Sequence, residues 1–196
     1  MNIVLATANK HKIDEIKHML SGTNVTVLSM LDRARVPKVR EDGRTFKENA
    51  VKKAWAFTKR FGLTALADDS GLEVKALHGA PGVRSARFAG PHSTKGRLCA
   101  KILKLLKDVP ASKRGARFVC DIAICLPSGR VRVVEGTVNG RIDFGMRGEN
   151  GFGYDPIFVP TGYKKTFAQM VPSMKNKLSH RGRALKKAKR VIEKLV

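Results

Sequence analysis

Carboxylates that could act on a phosphate group occur in two short segments of this chain. Asp68 and Asp69 follow an apolar run at residues 64–67, and Glu41 and Asp42, either of which could complete a metal site with Asp69, precede a predicted helix. A carboxylate after a buried strand can hold Mg²⁺ or take a proton from water. The same residues also fit an Asx turn at 68–71 and a solvated loop around Glu41, so their types alone leave both alternatives open.

A turn at residues 7–12 lies between a predicted strand and a predicted helix. The N–H groups at a helix N-terminus carry partial positive charge and point outward, so they can hold an anion. Asn9 could cap this helix, and Lys12 adds a full charge. The segment is a candidate phosphate cradle, although a capped loop with surface lysines fits too. Its residues are Thr7, Ala8, Asn9, Lys10, His11 and Lys12.

The glycine-rich segment at 151–156 could recognise a nucleotide base. Phe152 lies between two glycines, which could present its ring for stacking on a base. Asp155 could accept hydrogen bonds from ring N–H groups. A tight turn entering a strand at 157–159 is the structural alternative.

Basic residues near the C-terminus form the last candidate segment. Lys175 could meet a phosphate or a base, and His180 and Arg181 could donate to a carbonyl oxygen. A helix N-terminus with solvated basic groups fits the same pattern. The five histidines are scattered along the chain, and their spacing does not indicate zinc.

The elements that must position these residues alternate between strand and helix. Thr45 and Glu48 form a capping-box pattern at the start of a helix that Gly62 would end. Residues 64–67 and 72–77 read as two strands separated by the acidic segment, and a final helix begins near Gly182. The predicted strands and hairpin elsewhere lie at 2–6, 25–28, 118–126 and 131–138. This order predicts an α/β fold with a mixed sheet.

Composition narrows the class of partner. The chain has 196 residues and 39 Lys plus Arg against 16 Asp plus Glu, a net charge of +23 that attracts polyanions. No apolar run reaches the roughly 20 residues of a membrane span, and a signal peptide pattern is lacking. With three cysteines, these features predict a cytoplasmic protein with no membrane partner. Cys120 and Cys125 would lie on opposite faces of one strand.

Four segments, in this order along the chain, resemble the inosine triphosphate pyrophosphatase family, which acts on non-standard purine nucleoside triphosphates. They are ADDSGLEV at 67–74, GAPGVRSARFAG at 79–90, GFGYDPIF at 151–158 and SHRGRAL at 179–185. The resemblance covers nearly the whole chain. It implies a single domain over residues 1–196, with an elongated mixed β-sheet flanked by helices and two lobes around a central substrate groove. It also implies Mg²⁺, a homodimer, and release of pyrophosphate.

The resemblance also implies a role for each candidate residue. Residues 7–12 would hold the triphosphate, with Asn9 and Lys12 as chief contacts. Glu41 and Asp69 would hold the metal, with Asp69 as the general base. Substrate contacts are further implied for Ser70, Phe152, Gly153, Tyr154, Asp155, Lys175, His180 and Arg181. Ala8 departs from the family pattern, which usually has glycine there, and would be strained if its φ were positive.

Two other functions compete with this interpretation. The charge and the basic last helix suggest a nucleic-acid-binding protein, but one Trp and two Tyr provide few stacking surfaces for single strands. Incidental nucleic-acid binding remains an expectation from the charge. A hydrolase of modified pyrimidine nucleotides is the second alternative, and the segments at 152–155 and 179–181 argue against it.

Overall fold

The computed structural model describes residues 1–29 and 36–195, and these form an α/β protein with a mixed sheet. The strands are β1 (Asn2–Leu5), β2 (Thr26–Ser29), β3 (Thr64–Val74), β4 (Gly115–Cys125), β5 (Val131–Ile142) and β6 (Phe158–Pro160). The helices are α1 (Lys10–Leu20), α2 (Phe46–Phe61), α3 (Lys95–Leu105), α4 (Pro172–Leu178) and α5 (His180–Glu193). The strand order is β2-β1-β3-β4-β5-β6. β1 pairs in parallel with β2 and β3, while β5 and β6 are antiparallel, so the mixed sheet with flanking helices is confirmed.

The acidic segment is part of β3, so the prediction of two strands separated at 68–71 is wrong. β3 runs without a break from Thr64 to Val74. Successive side chains in a strand point to opposite faces. Asp68 and Asp69 therefore lie on different faces of the sheet, near the middle of a strand rather than at its end.

The chain divides into two compact units, and three strands each contribute residues to both. The first unit comprises Met1–Asp69, Cys120–Gly136 and Arg181–Val196. One of its core clusters joins β1 to α1 and α5 through residues such as Ile3, Ile16 and Leu185, and the other joins β1 to α2 through Val4 and Ala50. Because Ile3 and Val4 alternate along β1, α1 and α5 cover one face of the sheet and α2 covers the other.

The second unit comprises Ser70–Val119 and Thr137–His180. Its core packs Leu98 and Ile102 of α3 against Phe118, Phe158 and Phe167. Within the described residues, every helix is too short or too polar to span a bilayer.

Local signals set most helix boundaries. Thr45 caps α2 by accepting from the Glu48 N–H at 3.1 Å, and Gly62 ends it with a φ of 63°. The reciprocal bond of the capping box is shifted, because Glu48 accepts from the N–H of Arg44 at 2.7 Å rather than from Thr45. The last helix begins at His180, two residues before the predicted start. The predicted placement of the two cysteines is confirmed, since Cys120 and Cys125 belong to different core clusters.

Candidate active site

Asp68 is the centre of a buried ion-pair network on the face of the sheet that α1 and α5 cover. Its Oδ2 lies 3.0 Å from Lys12 Nζ and 3.1 Å from Arg181 Nε, and its side chain has no solvent exposure. Arg181 extends the network through Nη1, which lies 2.8 Å from Glu15 Oε2. Lys12 and Glu15 belong to α1, and Arg181 to α5. The network therefore ties both helices to β3.

The charges of this network outweigh the cost of burial. Burial alone would raise the pKa of Asp68, but Lys12 and Arg181 hold it well below its usual range. Burial likewise opposes the charge on Arg181, yet Asp68 and Glu15 raise its pKa above the ordinary value. Asp68 and Arg181 are therefore both charged at neutral pH.

Asp69 faces the other side of the sheet and meets a lysine of α2. Lys53 Nζ lies 3.3 Å from Asp69 Oδ1 and 3.0 Å from Glu41 Oε2, so one ammonium group bridges the two carboxylates predicted to bind metal. Burial raises the pKa of Asp69, with a further contribution from Glu41, against the lowering effect of Lys53. The pKa of Lys53 is raised, because Asp69, Asp68 and Glu41 together outweigh its burial.

One carboxylate oxygen in this cluster makes no hydrogen bond. Asp69 Oδ2 is buried and has no partner at hydrogen-bond geometry among the residues that the structure describes, although the Asn49 side chain lies close enough to lower the pKa of Asp69. Such an atom is costly unless a proton or a cation occupies the position beside it. No group of three or more His, Cys, Asp or Glu side chains suited to a metal occurs within residues 1–29 and 36–195. Two carboxylates nevertheless fit Mg²⁺, which usually binds one or two together with substrate phosphates and water.

The predicted phosphate cradle forms the start of α1. Asn9 is the N-cap, and its Oδ1 accepts from the Lys12 N–H at 3.4 Å. Thr7 Oγ1 accepts from the Asn9 N–H at 3.2 Å, while Ala8, Lys10 and His11 are exposed. Among the described non-glycine residues, positive φ occurs at His78 and His92. Ala8 is therefore free of the backbone strain that its position in the family pattern suggested.

In the second unit, the predicted base-recognition residues form a cluster around Asp155. Asp155 is buried, and its Oδ2 accepts from Lys175 Nζ at 2.6 Å and from the Phe152 N–H at 2.8 Å. Lys175 Nζ also lies 4.7 Å from the centroid of the Phe152 ring. Gly151 has a φ of 72°, and a Cβ there would overlap Asp155 Oδ2. Glycine at 151 is thus a requirement of this turn.

The second unit also contains Ser70, Gly153, Tyr154 and His180, the other residues predicted to contact the substrate. Tyr154 is buried in the core, and its hydroxyl donates to the Ser85 carbonyl at 2.8 Å. The His180 ring stacks on Phe118 with centroids 4.6 Å apart. Ser70 follows Asp69 in β3 and is half-buried, and Gly153 has a φ of 59°. The substrate contacts proposed for these four residues stay predictions.

Two functional candidates, Lys53 and Glu15, were missed by sequence reasoning. Lys53 belongs to the pattern of α2, where a lysine normally lies in solvent, and Glu15 belongs to that of α1. Lys53 lies three residues after Ala50 and four before Phe57 in the apolar stripe of α2, so helical spacing places it beside the face that packs on the sheet. That spacing was the available signal.

The fold and these clusters define a class of protein: an α/β protein with a buried acid–lysine cluster on the central strand and a second cluster of an acid, a lysine and an aromatic ring. A model of the Ham1 family matches residues 3–191. The dITP/XTP pyrophosphatase of Desulforamulus reducens is 49% identical over 100% of this chain and 97% of that protein. That of Exiguobacterium sibiricum is 46% identical over 95% of this chain and 94% of its own length.

Solved structures of Ham1 proteins are similar to this chain over its whole length. The Ham1 protein of Staphylococcus aureus has a TM-score of 0.90 and 39% identity, with 100% of both chains covered. The HAM1 protein of Coxiella burnetii has a TM-score of 0.92 and 39% identity, with 99% of both covered. This chain belongs to the Ham1 family.

Proposed function

We propose that this protein is a Mg²⁺-dependent nucleoside triphosphate pyrophosphohydrolase. Its substrates are non-standard purine nucleotides such as ITP, dITP and XTP, and its products are the monophosphate and pyrophosphate. The observation that carries the proposal is the pair of the half-buried Glu41 and the buried Asp69, bridged by Lys53, with Asp69 Oδ2 left for a cation or a proton. The names of the family relatives, dITP/XTP pyrophosphatases, support the choice of substrate.

Glu41 and Asp69 are the residues that would hold Mg²⁺. When bound, the ion supplies positive charge to the phosphate oxygens and withdraws electron density from phosphorus. The chain contributes further charge through Lys53 and Lys12, whose ammonium groups already lie against carboxylates. Asn9 and the first N–H groups of α1 add donors for the phosphate chain.

Asp69 acts as the general base. Its raised pKa suits a group that takes a proton from water, because a stronger base gives a more favourable transfer. The water oxygen forms a bond to the α-phosphorus, the bond from that phosphorus to the bridging oxygen breaks, and pyrophosphate leaves. The proton of the water passes to Asp69.

The cluster of the second unit recognises the base. Phe152 stacks on the purine, and Lys175, held by Asp155, donates to it or to a phosphate. A 6-keto purine presents an acceptor at O6 and a proton on N1, whereas adenine presents the reverse. A donor from His180 to O6 would face the amino group of adenine without a partner, which can reduce its rate roughly 10⁴-fold.

A substrate panel tests the function. We expect pyrophosphate release from ITP, dITP and XTP with Mg²⁺, a rate on ATP lower by roughly 10⁴-fold, and little activity without divalent cation. Liquid chromatography of the products would identify pyrophosphate directly. Equal rates on ITP and ATP, orthophosphate as the first product, or a preference for pyrimidines would each contradict the proposal.

The stacking role of Phe152 gives a separate prediction. Phe152→Ala is expected to raise KM for ITP about tenfold, because stacking on one aromatic ring contributes about 1–3 kcal/mol. The matched control is Phe144→Ala, which removes a ring that is 65% exposed in the same unit and lies outside the site. Steady-state kinetics give the KM for ITP of both variants. An equal KM change in both, or an unchanged KM in Phe152→Ala, would remove Phe152 from the base site.

The assembly and the compartment are parts of the same proposal. The family resemblance supports a homodimer. Three free, buried cysteines support a reducing compartment such as the cytoplasm, where the nucleotide pool also lies.

A further inference from the structure

The outer face of α5 carries a regular line of positive charge. Arg183, Lys186, Lys187 and Arg190 of α5 each have another member of the set three or four residues away, Lys194 follows in the turn after the helix, and all five are exposed. Because a helix turns 100° per residue, this spacing puts the four helical cations on one face, over about 10 Å of helix length, and Lys194 adds a charge at the C-terminal end of the helix. The acidic residue of α5, Glu193, lies at its end.

The opposite face of α5 is fully used by the core. Ala184, Leu185, Ala188 and Ile192 are at most 1% exposed and pack in the first unit. A helix that binds in a lipid interface needs its apolar face for the acyl chains. α5 has no such face to offer, so its outer surface can bind a partner through charge and hydrogen bonds alone.

A neighbouring helix extends the basic surface. α1 packs into the same core cluster as α5, and Glu15 of α1 is paired with Arg181 of α5. The exposed side of α1 adds Lys10 and Lys17 against Asp14. The two helices therefore present one surface with more cations than anions.

The form of this surface selects the partner. Exposed cations spaced along a line hold a single small anion weakly, whereas a polymer with regularly spaced phosphates engages them all at once. α5 contains no Phe, Tyr or Trp on which unpaired bases could stack. We propose that the face formed by Arg183, Lys186, Lys187, Arg190 and Lys194 binds the sugar–phosphate backbone of double-stranded nucleic acid, without regard to base sequence. This binding is separate from nucleotide hydrolysis and does not depend on it.

Two charge-matched triple variants test the assignment. The first is Lys186→Gln with Arg190→Gln and Lys194→Gln, which leaves Lys187 bonded to the Glu135 carbonyl. The second is Lys104→Gln with Lys107→Gln and Lys113→Gln, at exposed positions of the other unit. Both triples lower the net charge equally. Fluorescence anisotropy with a labelled DNA duplex of about 30 base pairs gives the affinity between about 50 and 200 mM salt.

The expected result is a difference between the two triples. The α5 triple should bind at least about tenfold more weakly than the wild type, and its slope of log affinity against log salt should fall by about 3. The control triple should keep the wild-type slope. Thermal melting checks that both variants are folded. Neither the binding assay nor the melting measurement depends on hydrolytic activity.

Three outcomes would overturn the proposal. Equal losses of DNA affinity in both triples would mean that binding depends on the overall net charge and is not localised to α5. Tighter binding to a single strand than to a duplex would contradict the backbone geometry. Tighter binding to phosphatidylserine vesicles, with the same dependence on the α5 cations, would assign this face to a membrane surface instead.

Discussion

Asp69→Asn is expected to lower kcat for pyrophosphate release from ITP at least about 10²-fold, the lower range for loss of a general base. Asparagine has nearly the size of aspartate, so Lys53 keeps an acceptor close to its present 3.3 Å contact. The amide cannot take a proton from water, however. Its NH₂ group would also occupy the position of the buried Oδ2, which makes no hydrogen bond among the described residues.

The rate must be measured at saturating Mg²⁺, because Asp69 is also a proposed metal ligand. If weak metal binding were the only defect of Asp69→Asn, added Mg²⁺ would restore kcat. A deficit that persists at saturation belongs to proton transfer. Recovery to the wild-type rate would leave Asp69 as a metal ligand alone.

Asp121→Asn is the matched control for this experiment. Asp121 lies on β4, two residues before Ala123. Ala123 packs in the same core cluster as Ala67, which lies two residues before Asp69 on β3. Asp121 and Asp69 therefore lie on the same face of the sheet. Asp121 is also buried, and burial with the nearby Glu135 raises its pKa to about 6. It takes no proton in the proposed chemistry, although its charge and that of Asp69 act on each other. The change in kcat should therefore be far smaller than in Asp69→Asn. A large loss in both variants would mean that any buried carboxamide on this face disturbs the site.

The acidic segment of β3 shows where local signals mislead. Asp, Ser and Gly are turn formers, so residues 68–71 read as an interruption between two strands. In the fold, this segment lies within one continuous strand that has β1 and β4 as neighbours in the sheet. Pairing of β3 within the sheet, which with β1 covers Thr64 to Leu66, overrides weak local preference, because it satisfies backbone hydrogen bonds. The alternation of the strand then explains why Asp68 and Asp69 have different partners.

Two members of these ion-pair clusters, Lys53 and Glu15, gave only a weak signal in the sequence. Lys53 and Glu15 are charged residues in amphipathic helices, a pattern that normally indicates a solvated face. Their burial depends on how α1, α2 and α5 pack on the sheet, which is a tertiary property. The motifs around them were predictable, since the turn at Asn9 and the cap at Thr45 depend on nearest neighbours along the chain.

Asp68→Asn is expected to destabilise the protein by about 3–5 kcal/mol, the usual cost of removing one partner of a buried ion pair. Asp68 is the acceptor for both Lys12 and Arg181. Without its charge, Arg181 keeps Glu15 alone, and its guanidinium remains buried with less compensation. Urea unfolding followed by Trp55 fluorescence suits the measurement, because Trp55 is the single tryptophan and lies in the same unit.

Asp42→Asn supplies the comparison, because it removes an acid that also pairs with a lysine. Asp42 contacts Lys52, and both side chains are nearly half exposed. Exposed pairs of this kind contribute little to stability, since water and salt screen the charges. The urea midpoint should therefore hardly move in Asp42→Asn and fall clearly in Asp68→Asn. Similar midpoints in the two variants would mean that the Asp68 network is too well hydrated to stabilise the fold, and that Lys12 and Arg181 need another explanation for their positions.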